Sequence, residues 1–335
     1  MLPLLRHLTC LAVVLLPTLL SAQQPYRYRY YYVGTLSNRT IQMDVQVVGT
    51  TASGTYFYQQ VGTPLTLSGA RAADGVISLA EQDAKKQKTG TFRGTLTGPQ
   101  RDFTGTWSSP DGKKTFPFTL KRVAEYVFLT TSQGEKLIAT TSYPYFVTST
   151  PAFQQINKTV QEMMTTQHHQ FIREAQSEDR DRSAHSFEQR YRYAMAYYAP
   201  SLVSLFADAY ESSSAARDDT GHAGLHFWLH DDKAVPITLE TLFVADSSYI
   251  DVLSAYCLKD LRQQQAPRVV QGAVTRFQAE DLRVFSLTPR GITFAFAPPQ
   301  VGPSTHGFFF VTVPYKALEQ VVDPEGPLRA FVVSK

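Results

Sequence analysis

The chain has 335 residues, of which 43% are hydrophobic and 12% aromatic, enough apolar material for two or three buried cores. Its 32 lysines and arginines face 29 aspartates and glutamates, a net charge of +3 that gives no support to a nucleic-acid partner. Two cysteines are present, Cys10 and Cys257. Cys10 falls in a segment read as removed, so no intramolecular disulfide is expected and the fold must rest on apolar packing.

At the N-terminus Arg6 precedes an apolar stretch from Leu8 to Leu20, and Ser21-Ala22 follow. A run of about 13 residues falls short of the ~20 that a helix needs to cross a bilayer, and small residues at its end suit signal peptidase. Residues 1–22 are therefore read as a signal peptide. The mature chain is expected to be exported, periplasmic or extracellular, with no transmembrane segment after cleavage.

Residues 23–122 read as a β-rich module. The run Tyr26-Arg27-Tyr28-Arg29-Tyr30-Tyr31-Tyr32 is either a stacking surface for sugars or bases, or a first strand with aromatics on both faces. Strands are predicted at Ile41–Val48, Gly54–Tyr58, Leu65–Ser68, Val76–Ala80, Thr91–Leu96, Phe103–Trp107 and Phe116–Leu120. A spacing of about ten residues is the pattern of an all-β meander, sandwich or barrel. Ile41, Met43, Val45 and Val47 alternate with Gln42, Asp44 and Gln46, which places the apolar side chains on one face. Gly54-Thr55-Tyr56, Gly90-Thr91-Phe92 and Gly105-Thr106-Trp107 recur as glycine followed by an aromatic. A domain boundary is expected near residue 123.

Residues 123–335 read as an α+β domain with two main helices on a mostly antiparallel sheet. Thr150-Pro151 opens a helix with Phe153, Ile156, Val160, Met163, Met164, Phe171 and Ile172 at helical spacing, about six turns long and closed by the charged stretch Glu178–Arg182. Tyr191–Tyr198 and Leu202–Phe206 read as strands. Leu225, Phe227 and Leu229 alternate with His226, Trp228 and His230 and turn through Asp231-Asp232 into a hairpin. A second helix is predicted from Ser247 to Gln264, capped by Asp246 or Ser247, with Cys257 on its apolar side. Closing strands follow at Ile292–Phe296 and Phe308–Val313.

No nucleophile elbow, Ser-x-x-Lys, His-Glu-x-x-His or phosphate-binding loop occurs in the chain. His222, His226 and His230 have the four-residue spacing of a helical metal site, but their segment alternates as a strand. There the outer pair would stand about 26 Å apart, so no metal site is assigned. His226, Trp228 and His230 are instead expected on the outer face of that strand, as solvated surface or as a contact patch. With His222 they form the candidate ligand-binding set. His168-His169 are expected on the helix surface. No cofactor and no catalytic residue is assigned.

From about Tyr126 onward the chain resembles the outer domain of the sigma-V anti-sigma factor family, a domain of unknown function also found beside polysaccharide deacetylases. The residues that carry the likeness are Tyr143-Pro144 leading into the helix with Ile156-Asn157, and Thr220-Gly221-His222-Ala223-Gly224, taken as a loop before a strand. Ile237-Thr238-Leu239 with Leu242-Phe243, Val301-Gly302-Pro303 and Val313-Pro314-Tyr315 complete it. Residues 28–121 resemble an uncharacterised β module of bacterial envelope proteins. The first resemblance implies a receptor surface for lysozyme. A chain of sequence pI near 8.7 gains little long-range steering toward a basic protein.

The expected function is thus an exported, non-enzymatic binding protein of the cell envelope that recognises a cell-wall component or a protein such as lysozyme. One alternative is a cell-wall hydrolase or esterase built from dispersed groups such as Asp219, His222 and Asp231. The other is a structural envelope protein.

Overall fold

The computed structural model describes residues 27–134, 136–178, 186–213 and 218–332. The signal peptide, Tyr26 and the charged stretch after Glu178 lie outside them. β1 (Arg27–Leu36), β2 (Arg39–Val48), β3 (Thr51–Tyr58), β4 (Leu65–Arg71), β5 (Ile77–Gln82), β6 (Lys88–Thr97), β7 (Asp102–Ser108) and β8 (Thr115–Gln133) each pair antiparallel with the next. β1 also pairs with β8, from Tyr30↔Glu125 to Leu36↔Phe118, and this closes an eight-stranded barrel. Closure removes the open edges that a sheet of such strands would expose.

Alternation fills the barrel as the β2 pattern predicts. Tyr28, Tyr30 and Tyr32 point inward with Ile41, Met43, Val45 and Val47, against Phe92, Phe103 and Phe118. Tyr31 points outward and is buried in a different core, so the tyrosine run is a strand with aromatics on both faces. A Cβ on Gly54 would sit 2.0 Å from the Asp44 carbonyl oxygen; a glycine there lets β2 and β3 bend tightly together. The buried carboxylate of Glu81 accepts from Tyr56 Oη (2.6 Å), Trp107 Nε1 (2.8 Å) and Thr89 Oγ1 (2.6 Å).

β8 runs unbroken through residue 123, so the change of pattern seen there falls inside a strand and not in a linker. It pairs with β9 (Leu137–Phe146), and the chain then crosses over through α1 (Pro151–Glu178) to β10 (Phe187–Ala199), which lies parallel to β9. Pro144 stands beyond Ser142, the last residue of β9 with a β10 partner, where its missing N–H costs no ladder bond. β11 (Leu202–Ser213), β12 (Asp219–His230) and β13 (Lys233–Pro236) continue antiparallel. Asp231 and Asp232 both take positive φ, 48° and 57°, as a two-residue hairpin turn requires.

α1 has 28 residues, about eight turns, and covers one face of the second sheet with Phe153, Ile156, Val160 and Met164. Asn157 fixes it there: its Oδ1 accepts from Phe146 N (2.7 Å) and its Nδ2 donates to Phe146 O (2.8 Å), so the side chain acts as one more strand partner. The opposite face carries a three-stranded antiparallel sheet, β14 (Phe285–Thr288), β15 (Gly291–Phe296) and β16 (Phe309–Val313), with α2 (Tyr249–Gln263). α2 starts after Ser248 without a side-chain cap, so neither Asp246 nor Ser247 plays the predicted capping role. Leu253, Cys257, Leu258 and Leu261 are its buried face, and burial pushes the Cys257 thiol pKa up. The whole is a β-barrel followed by helices packed on a mostly antiparallel sheet. Among the described residues no helix is long and apolar enough to cross a membrane.

Candidate functional site

Each strand of the second sheet turns alternate side chains to opposite faces, so β12 divides the predicted residues by the parity of their numbers. His222, His226, Trp228 and His230 share the face toward β14–β16. His226 is 3% exposed, which corrects its expected place on an outer surface: that face is covered by the β14–β16 sheet. Its Nε2 lies 3.0 Å from the Phe285 carbonyl oxygen, which can only accept, so Nε2 carries the proton. Ser204 Oγ then donates to Nδ1 (3.0 Å) while accepting from Leu287 N (3.0 Å). Burial holds the His226 pKa down at about 3. This Ser–His pair is buried, and both ring nitrogens are already engaged. It ties two sheets together.

His222 belongs to the strand itself, since β12 begins at Asp219 and the Thr220–Gly224 segment is not a loop. Its ring sits among Phe206 (5.2 Å), Phe308 (4.5 Å) and Phe310 (5.2 Å), and Nδ1 donates to Ala207 O at 3.0 Å. Trp228 is half-buried against the α2 core and stacks on His230 at 4.8 Å, where His230 meets Asp231 at 3.2 Å. Trp228 and His230 thus form one patch, while His222 and His226 each line a separate hollow. Among the described residues no three metal-ligating side chains gather. Asp219 and His222 leave β12 on opposite faces, and Asp231 lies beyond the far end of that 12-residue strand, about 40 Å along it. The dispersed acid–base set therefore does not share a cleft.

The α1 face of the same sheet holds what the sequence reading missed. Between the C-terminal half of α1 and strands β10, β11 and β12 lies an open groove of about 290 Å³. Its floor is Gln189 and Tyr191 of β10 with Gly221 of β12; Gln167 and Phe171 of α1 form its wall. Glu174, Glu211 and Asp219 stand exposed at its rim. The amide oxygens of Gln167 and Gln189 are buried and accept no hydrogen bond, although Gln189 is only 7% exposed. Buried polar atoms are nearly always paired, so two orphaned acceptors in one groove mark a place where something else supplies the donors. A signal for both residues was present in the sequence. Gln189 takes an inward position in the alternation Phe187, Gln189, Tyr191, Tyr193, and Gln167 takes one in the helical series Val160, Met164, Gln167, Phe171.

A second hollow, about 390 Å³, adjoins His226, Glu240, Glu280 and Arg283. None of the buried polar atoms left without a partner lies in its lining. The groove under α1 is accordingly the candidate site.

Residues 240–316 match the model of a family described as a protein of unknown function, DUF3298. The matched segment spans α2 and the β14–β16 sheet and leaves the groove outside it. Among solved structures, the chain is similar to a DUF3298 family protein from Pseudomonas aeruginosa PAO1, at 15% identity and a TM-score of 0.45, covering 59% of this chain and 94% of that one. It is also similar to a member of the family from Bacteroides fragilis NCTC 9343, at 14% identity and a TM-score of 0.37, covering 63% of this chain and 98% of that one. No curated protein matches the chain. This assignment is coarser than the likeness to the sigma-V anti-sigma factors and brings no activity with it.

Proposed function

We propose that this chain is an exported, non-enzymatic binding protein of the bacterial cell envelope, and that its ligand, a cell-wall component or a protein such as lysozyme, occupies the groove under α1. The observation that carries the reading is the pair of buried, unpartnered amide oxygens of Gln167 and Gln189 in an open groove. Export is supported by the apolar run Leu8–Leu20 behind Arg6. A binding role is favoured over catalysis because the Ser204–His226 pair has both ring nitrogens engaged and the acid–base candidates are far apart. Lysozyme stands beside the wall as a bait because of the motif resemblance that runs from Tyr143-Pro144 to Val313-Pro314-Tyr315.

The test is a pull-down of the purified chain with peptidoglycan and separately with lysozyme. A Cβ on Gly221 meets nothing closer than Ala209 Cβ at 3.9 Å, so Gly221→Phe can fill the groove without breaking the strand. Retention by either bait that Gly221→Phe abolishes and Trp228→Ala preserves is the expected result. Loss with Trp228→Ala alone would move the site to the opposite face of the sheet. No retention by either bait overturns the reading.

A further inference from the structure

We infer that the groove under α1 selects a primary alkylammonium group, the terminus of a lysine or of another diamino-acid side chain; this rests on the binding role proposed above. Three features of the groove point the same way. First, its unsatisfied groups are acceptors: the buried amide oxygens of Gln167 and Gln189 need N–H or O–H donors from a ligand. An ammonium offers three donors and no acceptor, whereas a carboxylate or phosphate offers only more acceptors.

Second, the charge of the described lining is of one sign. Glu174, Glu211 and Asp219 line the rim, and among the described residues no lysine or arginine lines it. Carboxylates around a concave site raise the local concentration of cations and repel anions. Gln170 Nε2 donates to Glu174 Oε1 (2.8 Å), which leaves the carboxylates of Glu211 and Asp219 the freer pair. A sugar hydroxyl could satisfy the amides, but it gains nothing from these charges.

Third, the shape suits a group on a stem. About 290 Å³ is at the small end of ligand pockets, too little to bury a whole oligosaccharide or folded loop. The buried Phe171 and half-buried Tyr191 provide an apolar wall beside the amides, along which a methylene chain can lie while its charged end reaches the polar atoms. A lysine-like side chain meets all three conditions.

The test is an NMR titration of the purified chain with Nα-acetyl-L-lysine methylamide and, in parallel, with the same compound acetylated on its ε-amine. The expected result is saturable shifts of Gln167, Gln189 and Gly221 with the free amine and none with the acetylated probe. Gln189→Met, which keeps the size and removes the acceptor, should weaken binding about tenfold. Because Gln189 is buried, Asp219→Asn at the exposed rim provides a second variant; it should weaken binding and reduce its salt dependence with no change in the thermal unfolding midpoint. Equal binding of both probes, or no shifts with the free amine, overturns the inference. Pull-downs with wall material before and after chemical N-acetylation separate this failure from failure of the broader reading. Retention indifferent to acetylation keeps the envelope role and removes the amine, and no retention removes both.

Discussion

His226 and His168 show how a single residue sets the pH response of this fold. His168, on α1, is 3% exposed and held between Thr131 Oγ1 and Thr141 Oγ1, each at 3.0 Å, and so departs from the surface position expected for it. Burial, reinforced by the neighbouring His169, lowers its pKa. Burial lowers that of His226 to about 3. In the unfolded chain both titrate near the ordinary value of about 6.5, so below that pH the unfolded state binds more protons than the folded one. Their stabilisation is fully present above about pH 6.5 and is lost as the pH falls toward about 3, by on the order of a few kcal/mol for His226. Denaturant titrations across this range should show that loss, and His226→Gln should flatten it. An unchanged slope in the variant would mean that His226 is not buried as a neutral ring. Asn157 makes the same point for an uncharged group. Asn157→Ala leaves both the N–H and the C=O of Phe146 unpaired and should cost about 2 kcal/mol or more, measured by urea denaturation.

At the scale of the element, β12 has different tolerances on its two faces. A Cβ on Gly224 would fall 2.2 Å from the Phe285 carbonyl oxygen and 2.6 Å from His226 Nε2, because β14 crosses the strand there at backbone distance. Gly224→Ala should therefore lower the thermal unfolding midpoint by several degrees, on the order expected for about 2 kcal/mol of overpacking. The same measurement on Gly221→Ala, three residues away and facing open space, should show little change. The alternation Leu225, Phe227, Leu229 was legible as a strand. Its extension back to Asp219 was not, because Gly221 and Gly224 read as turn residues when they are where ligand space and a second sheet approach the chain. α1 was legible in its start and its apolar stripe, and His168 was readable only as surface until β8 and β9 came to lie beside it.

At the scale of the molecule, barrel and second sheet share a strand and a polar seam. Arg29 holds Asp44 through Nε (2.8 Å) and Nη2 (2.8 Å), Tyr126 Oη donates to Asp44 Oδ2 (2.9 Å), and Met195 N donates to that same hydroxyl (3.1 Å). Beside it, Gln42 Oε1 accepts from Tyr31 Oη (2.8 Å) and Tyr198 N (3.0 Å), and Gln42 Nε2 donates to Tyr198 O (2.8 Å). Removing one partner of a buried ion pair costs far more than the pair itself contributes, so Arg29→Met should destabilise the chain by about 3 kcal/mol. Because that loss is felt on both sides of the seam, calorimetry should show one shifted transition. Two separate transitions, with only the barrel affected, would mean that the parts unfold independently.

The sequence by itself determined the class of the fold. Period-two alternation, glycine-aromatic repeats and one helical stripe are local consequences of backbone geometry, and they place nearly every strand and both long helices. It also argued against a histidine metal site, since a strand cannot bring residues four apart onto one ion. Only the tertiary structure decided which face of each strand meets water. Gln42 and Asp44 look like wet-face residues within β2 and are buried because another sheet packs there; His226 is buried for the same reason, and Gln189 lies at the floor of a groove because the C-terminal half of α1 arrives above it. Burial is a property of what arrives from elsewhere in the chain, and no local pattern records it.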